Sequence, residues 1–460
     1  MDLPIQPSAP HDAYQAALHY LYSFIDYEKL PGASPKRMGL EKIEALVHTL
    51  GHPERRYPVV HITGTKGKGS TAAMMASILH HSGHRVGLYT SPHLVSFRER
   101  IMIDGEPIPK TDLCRMVETV RCAVETTAST PAGRPDTFFD VWTALAFAYF
   151  AQQQVDIAVV EVGLGGRLDS TNVVDPAVCL LTPIGLDHTD RLGNTIPEIA
   201  REKSGIIKAG VPVVVGPQDP EALSVIQETC RRQRSRLIRV GVDIRHTVRY
   251  ADTERQVFDV QGIEGPYTGL EIPLLGSYQV DNALAAVGAA EALRQSGLPV
   301  SPEGLAEGLR TVRWPGRLQV VERRPWLILD GAHNALAART LTSTLRRLFP
   351  YRRAVLILSL HQDKAVDVLC REFAAWADTI IVPGRRVLRR RQADPESVAA
   401  LCRQMGVSVQ VTEGVSDAIA MARVMAGPED LICVSGCLAL VGETMEVLGH
   451  LEPEEVLSRL

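Results

Sequence analysis

Residues 57–71 read YPVVHITGTKGKGST, and an apolar, helix-like stretch, AAMMASILHHSG, follows at once. Tyr57 to Thr63 form a run of β-branched and apolar residues with the pattern of a strand buried on both faces. Gly64 to Thr71 then supply a glycine-rich loop that opens a helix. Glycines after a strand let backbone N–H groups turn toward a phosphate, and the helix N-terminus adds positive potential. Lys68 has the reach to meet terminal phosphates, while Ser70 or Thr71 can touch phosphate or a metal. The loop departs from the G-x-x-x-x-G-K-[ST] pattern, because Ile62 stands five before Gly67 and Gly69 separates Lys68 from Ser70. A glycine-rich surface turn has the same composition; the strand–loop–helix context favours nucleotide binding.

Working outward, HRVGLYT, DIAVVEV, AVCLLTP and VPVVVG read as further buried parallel strands with helices between them. From Trp326 the rhythm shortens, and WLILD, AVLILSL, DTIIVPG, VSVQVTEG and DLICVSG alternate with helical stretches such as Ala335 to Leu348 and Ser416 to Met425. Such alternation predicts parallel sheets covered by helices on both faces. Between the two rhythms lie a polar–apolar region, Leu237 to Pro273, expected to form a small antiparallel patch, and an Ala-rich helix, Asn282 to Gln295. Pro and Gly then cluster in SGLPVSPEGL and VRWPGR, which marks a linker. The expectation is an α/β protein of two domains, residues 1–311 and 312–460.

With 460 residues, 45% of them hydrophobic and 22% charged, the chain has room for two or three such domains. Lys and Arg number 49 against 53 Asp and Glu, a net charge of −4, so no basic excess exists to neutralise a nucleic-acid backbone. Aromatics at 5% are too sparse for a single-strand stacking platform. The N-terminus MDLPIQPSAPHDAYQ lacks the charged and apolar regions of a secretory signal. The apolar run Val141 to Ala151 is shorter than the roughly 20 residues a bilayer requires, so no membrane partner is expected. Eight cysteines without C-x-x-C spacing, Cys433 and Cys437 being nearest, read as reduced thiols in a cytoplasmic protein.

Three further strand ends carry polar groups. Glu161 ends an apolar strand, where a carboxylate is costly unless it faces a cleft or a metal, and Gly163, Gly165 and Gly166 follow it. The spacing is G-x-G-G and not the dinucleotide pattern G-x-G-x-x-G. After AVCLLTP come Asp187, His188 and Asp190; Lys203, fifteen residues beyond His188, reads on its own as a solvated helix charge. In the second domain Asp330 ends WLILD, and Gly331, His333 and Asn334 enter the next helix, at the strand edge where open α/β sheets collect ligands. The basic run Arg385 to Arg391 reads as a solvated loop, with a polyanion-docking surface as the functional alternative. Together these features suggest an enzyme that binds a nucleoside triphosphate and Mg²⁺.

In that order, RMGLEKI, HITGTKGKGST, LYTSPHLVSFRERI, DTFFDVWTALAF, EVGLGGRLDSTN, PIGLDHTDRLG, IAREKSGIIKAG, GSYQVDNALAA, WPGRLQVV, LDGAHN and HQDKA run from about Gly39 to Glu443. The set resembles the folylpolyglutamate synthases, often also dihydrofolate synthases in bacteria, of the Mur ligase superfamily. The resemblance implies an N-terminal P-loop ATPase domain of Mur ligase type, a C-terminal Rossmann-like glutamate ligase domain and an active site between them. It implies that Gly64, Thr65, Gly67, Lys68, Gly69, Ser70 and Thr71 hold ATP phosphates, with Asn282, Arg317 and Asp330 binding ATP from the interdomain side. Ser91, Glu161 and His188 match Mg²⁺ ligands, and Lys203 matches a lysine carried as a carbamate, a further metal ligand. His333 matches a residue associated with incoming L-glutamate, and Phe138 and Phe139 lie where the family places part of its pterin pocket. The implied reaction, a step of folate biosynthesis and one-carbon metabolism, has two stages. A folate or dihydropteroate carboxylate attacks the γ-phosphate of ATP, and the amino group of L-glutamate then attacks the resulting acyl phosphate. A monomer is the family expectation.

Lys66 stands where the family usually has Asn, Ala335 follows DGAHN in place of Pro, and Ser435 to Glu443 replace T-G-S-L-Y-L-V-G-E with SGCLALVGE. Two rival readings are another Mur-type amide ligase and a catalytically silent ATP-binding regulator. A UDP-sugar ligase would carry a further domain ahead of its P-loop, for which the residues before Gly64 leave no room. A silent regulator has no reason to keep Lys68, Glu161, His188 and Lys203 together.

Overall fold

A computed structural model describes residues 10–24, 39–384 and 392–450. The first sheet has eight strands: β1 (Val59–Thr63), β2 (Val86–Tyr89), β3 (Ile101–Ile103), β4 (Glu106–Pro107), β5 (Ile157–Glu161), β6 (Val178–Leu181), β7 (Val213–Val215) and β8 (Leu237–Arg239). Their order is β4-β3-β2-β5-β1-β6-β7-β8. β2, β5, β1, β6, β7 and β8 run parallel, whereas β3 and β4 return antiparallel at one edge. Every residue of β1 and β5 is buried, as the continuous apolar runs predicted. Helices cover both faces. Ile62, Met74, Ile78, Val159, Leu180 and Leu284 belong to one core, and Val59, Tyr89, Trp142, Phe147, Ala158 and Val160 to the opposite one.

A second, three-stranded antiparallel sheet comprises β9 (Arg245–Ala251), β10 (Gln256–Gln261) and β11 (Pro266–Ile272). The expected patch is therefore narrower than Leu237 to Pro273, because Leu237–Arg239 extends the parallel sheet as β8. The Ala-rich helix starts earlier than expected and spans Ser277–Gln295.

The third sheet is built from β12 (Gln319–Arg323), β13 (Trp326–Leu329), β14 (Ala354–Leu358), β15 (Thr379–Pro383), β16 (Ser408–Thr412) and β17 (Leu431–Ser435). Its order is β12-β13-β17-β14-β15-β16, parallel except for β12. Cores containing Ile328, Leu356 and Phe373, and Leu329, Ile357 and Val434, fill its two faces.

The two large sheets meet through small residues. Leu94 of the TSPHL segment packs against the core containing Leu440 and Val441, and a Cβ on Gly442 would stand 2.3 Å from the Leu94 carbonyl oxygen. Trp314 lies over the phosphate loop, where a Cβ on Gly69 would meet its ring at 3.0 Å. No described helix is long and apolar enough to cross a membrane. All eight cysteines are free thiols, Cys433 lying within β17 and Cys437 capping the helix that follows. Arg385 to Arg391, the basic run, lies outside the described residues.

Candidate active site

The chain leaves β1 through Gly64 and turns into the helix Lys68–His81 at Gly67, whose φ of +89° suits glycine. A Cβ there would stand 2.4 Å from Asn282 Oδ1, so glycine also lets Asn282 approach the loop. Asn282 is itself held by a bond from its Nδ2 to Gln279 Oε1 (2.9 Å), and Gln279 donates to Ser70 Oγ (3.3 Å). Thr65 N–H donates to the Pro183 carbonyl (2.9 Å), which ties the loop to the end of β6. The Thr71 hydroxyl is buried without a hydrogen-bond partner among the described residues, an open valence at the start of the helix.

Lys68 Nζ lies 3.9 Å from Glu161 Oε1. Glu161 is buried at the end of β5, and its Oε2 accepts the Ser91 backbone N–H (3.2 Å). Burial raises its pKa, against Lys68, the Ser91 amide, Arg317 and Arg100. Beyond it, Asp169 holds the glycine run in shape. One of its oxygens accepts Leu164 N–H (2.8 Å), and the other accepts the N–H and hydroxyl of Thr171 (3.0 and 2.5 Å). Asn172 Nδ2 binds the carbonyls of Arg167 (3.0 Å) and Gly205 (3.2 Å), joining this run to the helix Ile196–Ser204.

That helix carries Lys203, and here the structure corrects the sequence reading of a solvated charge. Lys203 is 4% exposed and donates to the Gly64 carbonyl (2.9 Å). Burial, then the neighbouring Lys68 charge, lowers it from 10.5 to about 7. His188 sits in a left-handed turn (φ +50°), its Nε2 3.9 Å from Asp187 Oδ1. Partial desolvation of this half-exposed ring, with the charges of Lys364, Lys68 and Lys203, lowers its pKa to about 4 against Asp187, which favours the neutral imidazole. Asp190 reaches Arg191 (3.6 Å) at the exposed end of the same turn.

Across the cleft, Asp330 is buried, and each of its oxygens accepts one backbone N–H, from Leu318 (2.8 Å) and from Ala332 (2.9 Å). It thus shapes the two loops that present Arg317 and His333. Arg317 stands beside Gly331, where a Cβ would meet its Nη1 at 2.6 Å. His333 Nδ1 donates to the Gly331 carbonyl (2.9 Å), which leaves Nε2 as the acceptor; burial and Lys66 lower its pKa to about 3. Asn334 caps the helix Ala335–Leu348 through Ala337 N–H and donates to Asp187 Oδ2 (3.3 Å).

Phe138 and Phe139 part company. Phe138 is 2% exposed, stacked on Trp142 and flanked by Tyr22 and Phe97, so it forms the wall behind the site and presents no ligand-facing surface. Phe139 instead lies over Gly163, where a Cβ would meet its ring at 2.5 Å.

Ser91, Glu161 and His188 offer one hydroxyl, one buried carboxylate and one neutral imidazole. The two oxygen donors are of the kind Mg²⁺ takes beside phosphate oxygens and waters, whereas the imidazole is a nitrogen donor that a hard cation uses less readily. No cluster of three His, Cys, Asp or Glu side chains converges among the described residues, so no all-protein metal cage is formed there.

Several residues of the cleft were missed from sequence. Asp169, Asn172 and Gln279 act by holding neighbours, and only their places inside motif runs marked them. Glu99 accepts the N–H groups of Leu94, Val95 and Ser96 (2.7–3.0 Å) and so holds the TSPHL segment; the ERI motif was its signal. Asp187, named in sequence, becomes a junction for Lys66 (3.0 Å), Lys364 (3.8 Å) and Asn334.

A phosphate loop on one parallel sheet, faced by the carboxyl edge of a second, is the arrangement of the Mur ligases. The Mur ligase middle domain family matches residues 62–290, and the Mur ligase glutamate ligase domain matches residues 316–438. Folylpolyglutamate synthase of Lacticaseibacillus casei is 38% identical over 371 residues, covering 80% of this chain and 85% of its own. The dihydrofolate synthase/folylpolyglutamate synthase of Bacillus subtilis is 37% identical over 370 residues, covering 80% and 84%. The structure of Mycobacterium tuberculosis folylpolyglutamate synthase complexed with ADP and AMPPCP superposes with a TM-score of 0.85 at 31% identity, covering 97% of this chain and all of that one. The chain belongs to the folylpolyglutamate synthase/dihydrofolate synthase family.

Proposed function

We propose that the protein is an ATP- and Mg²⁺-dependent ligase that joins L-glutamate to the carboxylate of folates, and also to dihydropteroate, through an acyl phosphate. The observation that carries this reading is the facing of two strand edges. Lys68 and Glu161 stand together at the end of the first sheet, within electrostatic reach of Arg317 from the second.

In this reading Gly64, Thr65, Gly67, Gly69, Ser70 and Thr71 cradle the ATP phosphates, with Lys68 offsetting the charge of transfer. Asn282 and Arg317 close on the nucleotide from the far side, and Asp330 positions Arg317. Ser91, Glu161 and His188 would hold Mg²⁺, which when bound neutralises charge on the phosphoryl oxygens. Lys203, with a neutral amine accessible near pH 7, is suited to carbamate formation; the carbamate would replace a buried like charge beside Lys68 with an anion. Phe139 faces the pterin.

The acceptor carboxylate attacks the γ-phosphorus and ADP leaves. The glutamate amine then attacks the acyl carbon, a C–N bond replaces the C–O bond, and phosphate departs as the amine loses a proton. His333 is too weakly basic to be the final proton acceptor, so its Nε2 orients the amine by accepting an N–H. We place the domain boundary at residues 311/312, at the end of the helix Pro302–Thr311. In this reading the enzyme works as a cytoplasmic monomer; its eight free thiols support a reducing compartment.

The test is ATP-dependent phosphate release with Mg²⁺, L-glutamate and either dihydropteroate or tetrahydrofolate, with Lys68→Ala as control. Turnover with both acceptors, lost in the variant, is the expected result. Turnover with tetrahydrofolate alone removes the dihydrofolate step, and silence with both removes the folate reading.

A further inference from the structure

β1 carries a histidine that has no part in the scheme above. His61 is fully buried in the middle of the strand, paired with Val160 of β5 on one side and Cys179 of β6 on the other. Its Nε2 lies 2.9 Å from Thr171 Oγ1. The Thr171 hydroxyl donates its one proton to Asp169 Oδ1 (2.5 Å), so its oxygen is the acceptor and His61 Nε2 the donor. Nδ1 is left with a bare lone pair and no hydrogen-bond partner among the described residues. Burial, then the charge of Lys208, lowers the pKa of His61 to about 3, which keeps the imidazole neutral. A buried acceptor without a donor costs stability, and an apolar side chain of similar size would avoid that cost. What the imidazole gains in return is its hold on Thr171.

From Thr171 the bonds run on through Asp169 to the Leu164 N–H (2.8 Å), inside the glycine run that leaves β5. Two residues further along β1, on the same face of the strand, Thr63 donates to the Gly165 carbonyl (2.7 Å). The run Gly163 to Gly166 is thus pinned to β1 through His61 and through Thr63, and β1 is the strand that opens into the phosphate loop. In the order β2-β5-β1 the glycine run stands one strand away from that loop, between Glu161 and the Phe139 ring that lies over Gly163. With the nucleotide on the loop after β1, the floor after β5 belongs to the second substrate, whose carboxylate must reach the γ-phosphate.

We propose that His61 is a positioning residue for the folate substrate: acting through Thr171 and Asp169, it fixes the glycine run beneath Phe139 in register with the phosphate loop. This rests on the ligase reading above. Fully buried, His61 touches neither substrate itself. Its two neighbouring strands hold β1 on both sides, so the phosphate loop keeps its place without the imidazole, whereas the glycine run loses one of its two ties.

The experiment compares wild type, His61→Leu and His61→Gln as full chains with Mg²⁺. ATP, L-glutamate and tetrahydrofolate are varied in turn in steady-state kinetics, ADP binding is measured by calorimetry, and Tm by thermal unfolding. Leucine is close to histidine in volume and donates nothing, whereas the glutamine amide can offer Thr171 an N–H. One neutral hydrogen bond lost corresponds to a change of about 3- to 10-fold. His61→Leu is expected to raise KM for tetrahydrofolate by that factor, with Kd for ADP and KM for L-glutamate within about twofold of wild type. Its Tm should equal or exceed that of wild type, and His61→Gln should bring KM for tetrahydrofolate back toward the wild-type value. A leucine variant that fails to fold, or whose Tm falls while all three KM values rise together, makes His61 a merely structural residue and overturns the proposal. So does an unchanged KM for tetrahydrofolate in the leucine variant, or a glutamine variant as impaired as leucine, which denies the hydrogen bond its role. A wild type without turnover on tetrahydrofolate fails the ligase reading itself, a result distinct from these.

Discussion

Lys203→Met should stabilise the fold while abolishing ligation. Lys203 is buried, its ammonium donates to the Gly64 carbonyl, and its pKa falls from 10.5 to about 7. At about 1.4 kcal/mol per pH unit, the folded protein disfavours this ammonium by about 5 kcal/mol. Methionine fills a similar volume without charge and forfeits the bond to Gly64, about 1–3 kcal/mol. The net gain is about 2–4 kcal/mol near pH 7, or roughly 2–6 °C in Tm for a chain of this size. The pH dependence has a definite sign. Between pH 7 and 10.5 the unfolded wild type binds a proton that the folded form lacks, so wild-type stability rises with pH, and the methionine variant lacks this contribution. The gap between the two should narrow by about 2 kcal/mol from pH 7 to pH 9. Denaturant or thermal unfolding of metal-free protein in carbon-dioxide-free buffer measures it. A variant no more stable than wild type at pH 7, or a gap independent of pH, would refute the argument that Lys203 is a desolvated ammonium.

Gly67→Ala must place a Cβ 2.4 Å from Asn282 Oδ1 at a φ of +89°, so ATP affinity should fall at least about tenfold, measured by calorimetry, with the fold retained. Asp169→Asn puts an amide donor against either the Leu164 N–H or the Thr171 donors; unfolding should show a loss of about 1–3 kcal/mol and kcat should fall with it. Normal stability with normal kcat would mean that the glycine run does not depend on this clamp.

The parallel strands were legible because burial on both faces leaves continuous apolar runs. β3 and β4 were not, being three and two residues at a sheet edge, and β8 was misread because its three residues border a polar meander. The phosphate loop and Glu161 were legible from strand-end chemistry. Lys203 was not, since local spacing cannot report that a helix end is pressed against the Gly64 carbonyl. Phe138 and Phe139 are adjacent on the first turn of the helix Phe138–Gln152, and only the fold decides which faces the core. Asp330 reads as a ligand-facing carboxylate from its place at a strand end, but that each of its oxygens also accepts a backbone N–H from a flanking loop is visible only in the fold. Asp187 and Lys364 acquire their relation only when the two sheets face each other, which is a property of docking and not of either motif.

The most direct test of the central claim follows oxygen from the acceptor. Tetrahydrofolate labelled with oxygen-18 in its terminal carboxylate is incubated with the protein, ATP, Mg²⁺ and L-glutamate, and the phosphate released is analysed by mass spectrometry. An acyl phosphate requires one labelled oxygen in each phosphate, with ADP and a product one glutamyl residue longer. Unlabelled phosphate, release of AMP with pyrophosphate, or no lengthened product would contradict the account.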